Sequence, residues 1–177
     1  MRYRLFGFTT TLLLAIFSIE LAAQNEIVHI YGQLKDFYSK EKLDYCLIEV
    51  FKEGAIFDNL NADTSGKYGF KLLLGFEYTI KYSKADYLAK SIIIDTRSIP
   101  DEEKAGGFDM NIDGTLFPSV PGFRKKVLDK PVARCAYQKE SDGLIFDFEY
   151  SAKRQKEITN ELERAQRKNA SRKKSRK

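Results

Sequence analysis

Residues 60–87 alternate between short apolar runs and glycine-bearing polar turns, and this rhythm restricts the chain more than any other feature. Leu60-Asn61-Ala62 enters a turn over Asp63-Thr64-Ser65-Gly66. Lys67-Tyr68-Gly69-Phe70 leaves it, Gly75 turns the chain again, and Phe76-Glu77-Tyr78-Thr79-Ile80-Lys81-Tyr82 alternates once more. Side chains on a strand point to opposite faces with period two, so such runs suit half-buried strands joined by tight turns. Asp63 can accept hydrogen bonds from backbone amides across its turn, and Gly66 can take a positive φ. Asp63, Gly66 and Tyr68 are therefore read as structural turn residues.

The same alternation predicts further strands over residues 26–34, 43–52, 56–62, 88–96 and 108–116, making seven in all. Val28 and Ile30 share one face of the first, and Gly32 marks a bulge or a close approach. Cys46, Ile48 and Val50 share a face of the second; Phe108, Met110 and Ile112 share one of the last. Seven short strands with no helical stretch between them predict an all-β two-sheet sandwich. Beyond residue 116 the prolines at 118, 121 and 131 make a loop, and residues 132–138 and 144–150 alternate around Ser141-Asp142-Gly143 as a hairpin. Residues 152–168 are polar and rich in helix formers, with Ser151 as the expected cap and Ile158, Leu162 and Ala165 as a thin apolar stripe. Residues 169–177 are expected to be disordered. The expected organisation is a signal over 1–24, a sandwich over 25–116, a loop and β-hairpin over 117–150, and a basic helix with a disordered tail over 151–177.

Residues 26–113 resemble the carboxypeptidase-regulatory-like domains, which are transthyretin-like (prealbumin-like) β-sandwiches. Tyr31-Gly32-Gln33-Leu34 is similar to their first strand. Ala62-Asp63-Thr64-Ser65-Gly66-Lys67-Tyr68 is similar to their central turn, with Ala in place of Thr, and Gly75-Phe76-Glu77-Tyr78 to the strand after it. Asp86-Tyr87 stands where these domains carry Gly-Tyr; Asp tolerates the left-handed region that such a turn uses. The resemblance implies an accessory, adhesion or ligand-binding domain without the peptidase. The whole chain also resembles envelope proteins of Gram-negative Bacteroidota, which implies the periplasm or outer membrane.

The N-terminus fits that compartment. Arg2 and Arg4 precede an apolar run from Leu5 to Leu21, and Ala22-Ala23 supplies small residues for cleavage, the plan of a secretory signal. At about 17 residues the run is short for a bilayer span, and no later segment is long and apolar enough to cross once the signal is removed. The expected location is the periplasm, with peripheral attachment to the outer membrane.

Charge separates the two ends of the chain. The formal net charge is +5, yet residues 153–177 alone hold eleven Lys or Arg against three Glu, leaving residues 24–152 net acidic. In an exported protein a basic end of this kind fits an acidic envelope or outer-membrane protein, with anionic lipid or cell-wall polymer as a further contact. Nucleic acid is not expected, because residues 151–177 carry no stacking aromatic. Ile158 and Leu162, with Arg164, Arg167, Arg172 and Lys173, are the candidate partner-binding residues. The helix is expected to be removable without unfolding the sandwich.

Catalytic chemistry finds little support. The single histidine, His29, lies in a strand with no nucleophile nominated beside it, and one His with two Cys is a poor zinc set. No cofactor or metal is expected, and the chain is read as a non-enzyme. Asp109 and Asp113, with Asp95 on a neighbouring strand, are the remaining acid–base candidates for an envelope glycan hydrolase. Tyr78 and Tyr82, taken as exposed, would suit a carbohydrate-binding module. Cys46 and Cys135 are either a disulfide that ties the extension to the sandwich or two buried thiols. The functional expectation is a non-catalytic envelope binding or scaffold module, an accessory subunit of an outer-membrane-associated assembly.

Overall fold

The computed structural model describes residues 26–175, so the expected export signal over 1–24 lies outside the described residues. The strands are β1 (Ile27–Asp36), β2 (Leu47–Lys52), β3 (Ala55–Asn61), β4 (Lys67–Leu73), β5 (Glu77–Ser83), β6 (Tyr87–Leu88), β7 (Lys90–Asp95), β8 (Phe108–Asn111), β9 (Gly114–Pro118), β10 (Ala133–Gln138) and β11 (Gly143–Phe146). A one-turn helix α1 (Asp101–Lys104) precedes β8, and a long helix α2 (Phe148–Lys174) follows β11. In the first sheet β1 is antiparallel to β4 and parallel to both β8 and β9, and β6 pairs with β9. The second sheet runs β11-β10-β7-β5-β2-β3.

Together these make a mixed β-sandwich with eleven described strands, where alternation predicted seven in the sandwich and two in the hairpin. The difference comes from places where the chain leaves one ladder for another. The run expected over 88–96 breaks at Ala89: β6 belongs to the first sheet and β7 to the second. The run expected over 108–116 breaks after Asn111, where the Ile112 amide donates to the Tyr31 carbonyl at 2.8 Å before β9 starts. The hairpin does not stand apart, because β10 lies parallel to β7 and extends the second sheet. Its second arm is shorter than expected: residues 148–150 are already helical, and Asp147 rather than Ser151 caps the helix by accepting from the Tyr150 amide at 2.8 Å. The helix continues through Lys174, so residues 169–174, expected to be disordered, are ordered helix.

Period two places the core. Val28, Ile30 and Leu34 from β1 meet Ile48 and Val50 from β2, Tyr78, Ile80 and Tyr82 from β5, and Ile92 and Ile94 from β7. Gly32 is the close approach suggested by the sequence. A Cβ built there would lie 2.2 Å from the Ile112 carbonyl oxygen, a backbone atom that cannot rotate away. Alanine at Gly32 is expected to cost about 2–3 kcal/mol in urea denaturation, the upper part of the usual overpacking range of about 1–3 kcal/mol. Alanine at Gly106, where no atom lies within 4 Å, should change stability by no more than ~0.5 kcal/mol.

Candidate functional site

The Asp63 side chain closes its own turn. The Asp63 Oδ1 accepts from the Ser65 amide at 2.7 Å, the Ser65 hydroxyl at 2.8 Å and the Lys67 amide at 2.9 Å. These donors favour the ionised carboxylate and hold its pKa below the usual value, the Lys67 amide contributing most. Gly66 has φ +74°, and a Cβ there would meet the Leu34 carbonyl oxygen at 2.7 Å. Asp86 takes the left-handed conformation, with φ +64°. Tyr68 is buried; its hydroxyl donates to the Ile112 carbonyl at 2.6 Å and lies 3.0 Å from the Tyr82 hydroxyl.

Tyr78 and Tyr82 are not surface residues. Both are buried, sharing the inward face of β5 with Ile80. Their hydroxyls do not require exposure, since Tyr78 donates to the Leu73 carbonyl at 3.0 Å and Tyr82 pairs with Tyr68. Neither ring can stack on a sugar. The three aspartates are not gathered either. Asp95 lies on β7 in the second sheet, gripped by Arg97, whose Nε donates to Oδ1 at 2.9 Å and whose second terminal nitrogen donates to Oδ2 at 2.7 Å. Asp109 pairs with exposed His29 at 3.3 Å, and the Asp113 Oδ1 accepts from the Gln33 amide. Among the described residues, no three His, Cys, Asp or Glu side chains gather as a metal site.

Cys46 and Cys135 are two separate buried thiols rather than a bridge. Cys46 immediately precedes β2 and Cys135 lies on β10, three strand spacings away in the same sheet. At about 4.8 Å per spacing that is ~14 Å, twice the reach of a disulfide. Burial pushes the Cys135 thiol up to about 12, so it is not poised as a nucleophile.

The C-terminal helix departs furthest from expectation. Ile158 (1% exposed) and Leu162 (3% exposed), with Ala165, form a second apolar core with Leu88, Phe117 and Phe123. They are spent inside the molecule and cannot enter a partner groove. Two charged residues on the same helix face seal this core. Buried Arg154 donates to the carbonyls of Val127, Lys130 and Pro131 and pairs with Glu157. Buried Glu161 accepts from the Arg124 amide at 2.9 Å and the Arg124 guanidinium at 2.7 Å, and from the Arg164 Nε at 2.9 Å. The Arg164 and Arg124 guanidiniums hold its carboxyl well below the usual range. Arg164 also donates to the Gly122 carbonyl at 2.7 Å, so it too is a docking residue of the fold.

Past Ala165 the helix changes character. Arg167, Lys168, Arg172, Lys173 and Lys174 are exposed, with Glu163 at 2.8 Å from Arg167 as the nearby acid. Asn169 donates to the Pro121 carbonyl at 2.8 Å, which holds this basic end against the body of the protein. Among the described residues, no helix is long and apolar enough to cross a membrane.

Two of these groupings were missed in the sequence, although both left a signal there. Arg154 and Glu161 fall on the same helical face as Ile158, Leu162 and Ala165, which marks them as inward-facing charges. Lys90 lies two residues before Ile92 and four before Ile94, on the inward face of β7 and opposite Tyr82. With Tyr82, Ile92, Ile112, Phe146 and Phe148 it lines a cavity of about 340 Å³ between the two sheets.

No protein-family model matches the chain, and no curated protein matches it in sequence. Likenesses to solved structures are partial. 3-Chlorocatechol 1,2-dioxygenase from Rhodococcus opacus 1CP aligns over 54% of this chain and 61% of its own, at 9% identity and a TM-score of 0.40. The Bacillus anthracis TIE protein aligns over 52% of this chain and 17% of its own, at 17% identity and a TM-score of 0.42. The 5-hydroxyisourate hydrolase of Klebsiella pneumoniae aligns over 51% of this chain and 91% of its own, at 10% identity and a TM-score of 0.40. The chain spans less than two thirds of the first two. Likenesses this weak say nothing of activity.

Proposed function

We propose that this chain is a non-catalytic binding or scaffold module of the carboxypeptidase-regulatory-like, transthyretin-like kind, exported to the periplasm. It serves as an accessory subunit of an outer-membrane-associated assembly, docking through the basic end of α2 on an acidic protein surface. The observation that carries this reading is the division of α2. As far as Ala165 it is fastened to the sandwich by Arg154, Ile158, Glu161, Leu162 and Ala165, while beyond Ala165 it presents exposed cations. A cationic surface on a rigid support steers an acidic partner and needs little ordering on contact. The signal-like N-terminus supports the location, and the Asp63 turn supports the kinship.

The docking residues are therefore Arg167, Arg172 and Lys173; Ile158, Leu162 and Arg164 serve the fold. Arg167, Arg172 and Lys173 changed together to Glu should leave the thermal transition almost unmoved, because these side chains are exposed. In cross-linking pull-downs from native envelopes the variant should lose the partner that wild type recovers. Association with that partner should slow about tenfold or more at low salt, with the difference shrinking as salt screens the charges. Recovery of monomer alone by wild type, across several cross-linkers, would overturn the assembly role.

A further inference from the structure

We propose that the cavity between the two sheets at Lys90 binds a small amphiphile, an apolar body carrying one anionic group. The cavity opens between β7, the turn ahead of β9, β10, β11 and the first turn of α2. Its walls are mainly apolar, with Tyr82, Ile92, Ile112 and Phe146 around the lysine stem. At its mouth Phe148 is 77% exposed, a large ring left in water at the start of a helix. A concave apolar site with one placed charge is the usual form of a small-molecule pocket.

Lys90 is the anomaly that the ligand would resolve. It is half-buried at a core-facing strand position, where a partly desolvated cation gains from a counter-charge. Among the described residues, no acid pairs with it. Burial alone brings its amine down to about 8, with no carboxylate acting to raise it. Asp113 lines the same cavity but is exposed and engaged by the Gln33 amide. The other titratable neighbour in the cavity is Tyr82, whose hydroxyl burial keeps well above 10 and therefore neutral. β10, β11 and α2 present no charged group to it. On its other side, Lys90 borders a second hollow with Lys81, Lys125 and Asp129, where Lys81 is already paired with Glu49. A carboxylate or phosphate headgroup would meet an unpartnered ammonium while its apolar body displaced water from the walls.

Octanoate and octanol distinguish the charge from the chain. Octanoate titrated into the full-length protein at pH 7 should bind at least tenfold more tightly than octanol. Lys90→Met, which keeps the length and apolar stem, should abolish that preference, and Phe148→Ala should weaken both probes several-fold. Octanoate should raise the titration midpoint of the Lys90 Cε resonance above its free value of about 8. Its affinity should fall as pH climbs past 8 and the free amine loses its proton. Octyl phosphate would report whether a phosphate head is preferred to a carboxylate. Equal binding of octanoate by wild type and Lys90→Met, or an unmoved Lys90 titration at saturating octanoate, would overturn the proposal. So would no binding of either anion at millimolar concentration. None of these outcomes bears on docking through α2, since Arg167, Arg172 and Lys173 lie outside the cavity.

Discussion

Deletion of residues 148–177 should unfold the protein or leave it with a poorly cooperative transition, instead of releasing a stable sandwich. The thin stripe seen in the sequence suggests a helix that buries little. The structure reverses this expectation because the partners of the stripe, Leu88, Phe117 and Phe123, come from elsewhere in the chain and lose their cover with the helix. Full burial of one large apolar side chain contributes about 1.5–3 kcal/mol. Ile158 and Leu162, with the aromatic and aliphatic groups they cover, therefore sum to roughly 6 kcal/mol or more, against a total stability of only ~5–15 kcal/mol for a typical domain. Leu162→Ala alone should cost about 2–4 kcal/mol. Chemical denaturation followed by near-ultraviolet circular dichroism and by dye binding to exposed apolar surface would measure both. A deletion that keeps the wild-type midpoint would show that the second core is dispensable.

The second large effect is expected at Glu161. Its carboxylate is nearly sealed from water and accepts from the backbone and guanidinium of Arg124 and from Arg164. Glu161→Gln keeps the shape but removes the charge and turns one acceptor into a donor facing two cations. Breaking a buried pair costs about 3–5 kcal/mol; because both guanidiniums are partly in solvent, about 2–3 kcal/mol is expected here. The pH dependence follows from the lowered pKa. The carboxylate of the unfolded chain titrates near 4.5, and that of the folded chain well below it. Its stabilisation is complete above the unfolded value and declines as pH falls toward the folded one. Wild type and Glu161→Gln should therefore differ most above pH 5 and converge in acid. A constant difference between pH 3 and pH 7 would mean that the charge network contributes nothing and only packing was lost.

Much of the sandwich was legible because its strands have a buried face and an open one. The phase of Tyr78, Ile80 and Tyr82 places all three on one side, and the central isoleucine identifies that side as the core. Taking the two tyrosines as exposed runs against that phase. The hydroxyls are satisfied internally, by a strand carbonyl and by Tyr68. The same phase puts Lys90 on the inward side of its strand, with Ile92 and Ile94. The parallel pairing of β10 with β7 was not legible, since alternation marks a strand but not its neighbour. The second core was hidden because Phe123, with Val120, Val127 and Leu128 packed around it, comes from a proline-rich segment with no strand or helix period. Docking of α2 could be read only in retrospect, from an arginine and a glutamate set within an apolar stripe. The turn residues Asp63, Gly66 and Asp86 were read correctly because backbone conformation there is a local matter.

The pairings of β1 imply an order of assembly. Its antiparallel partner β4 follows within a few tens of residues, but its parallel partners β8 and β9 lie about eighty residues downstream, Val28 beside Phe108 and Leu34 beside Gly114. Contacts between such distant points form late, because the intervening chain must first surrender its freedom. The β2–β3 hairpin can close early and alone. Until residue 118 arrives, the far edge of β1 stays unsatisfied beside Val28, Ile30 and Leu34, and a second copy of the same strand can pair there instead. Refolding yield should therefore fall steeply with protein concentration, even where the finished molecule is fully soluble, and a chaperone that shields this first strand would restore it.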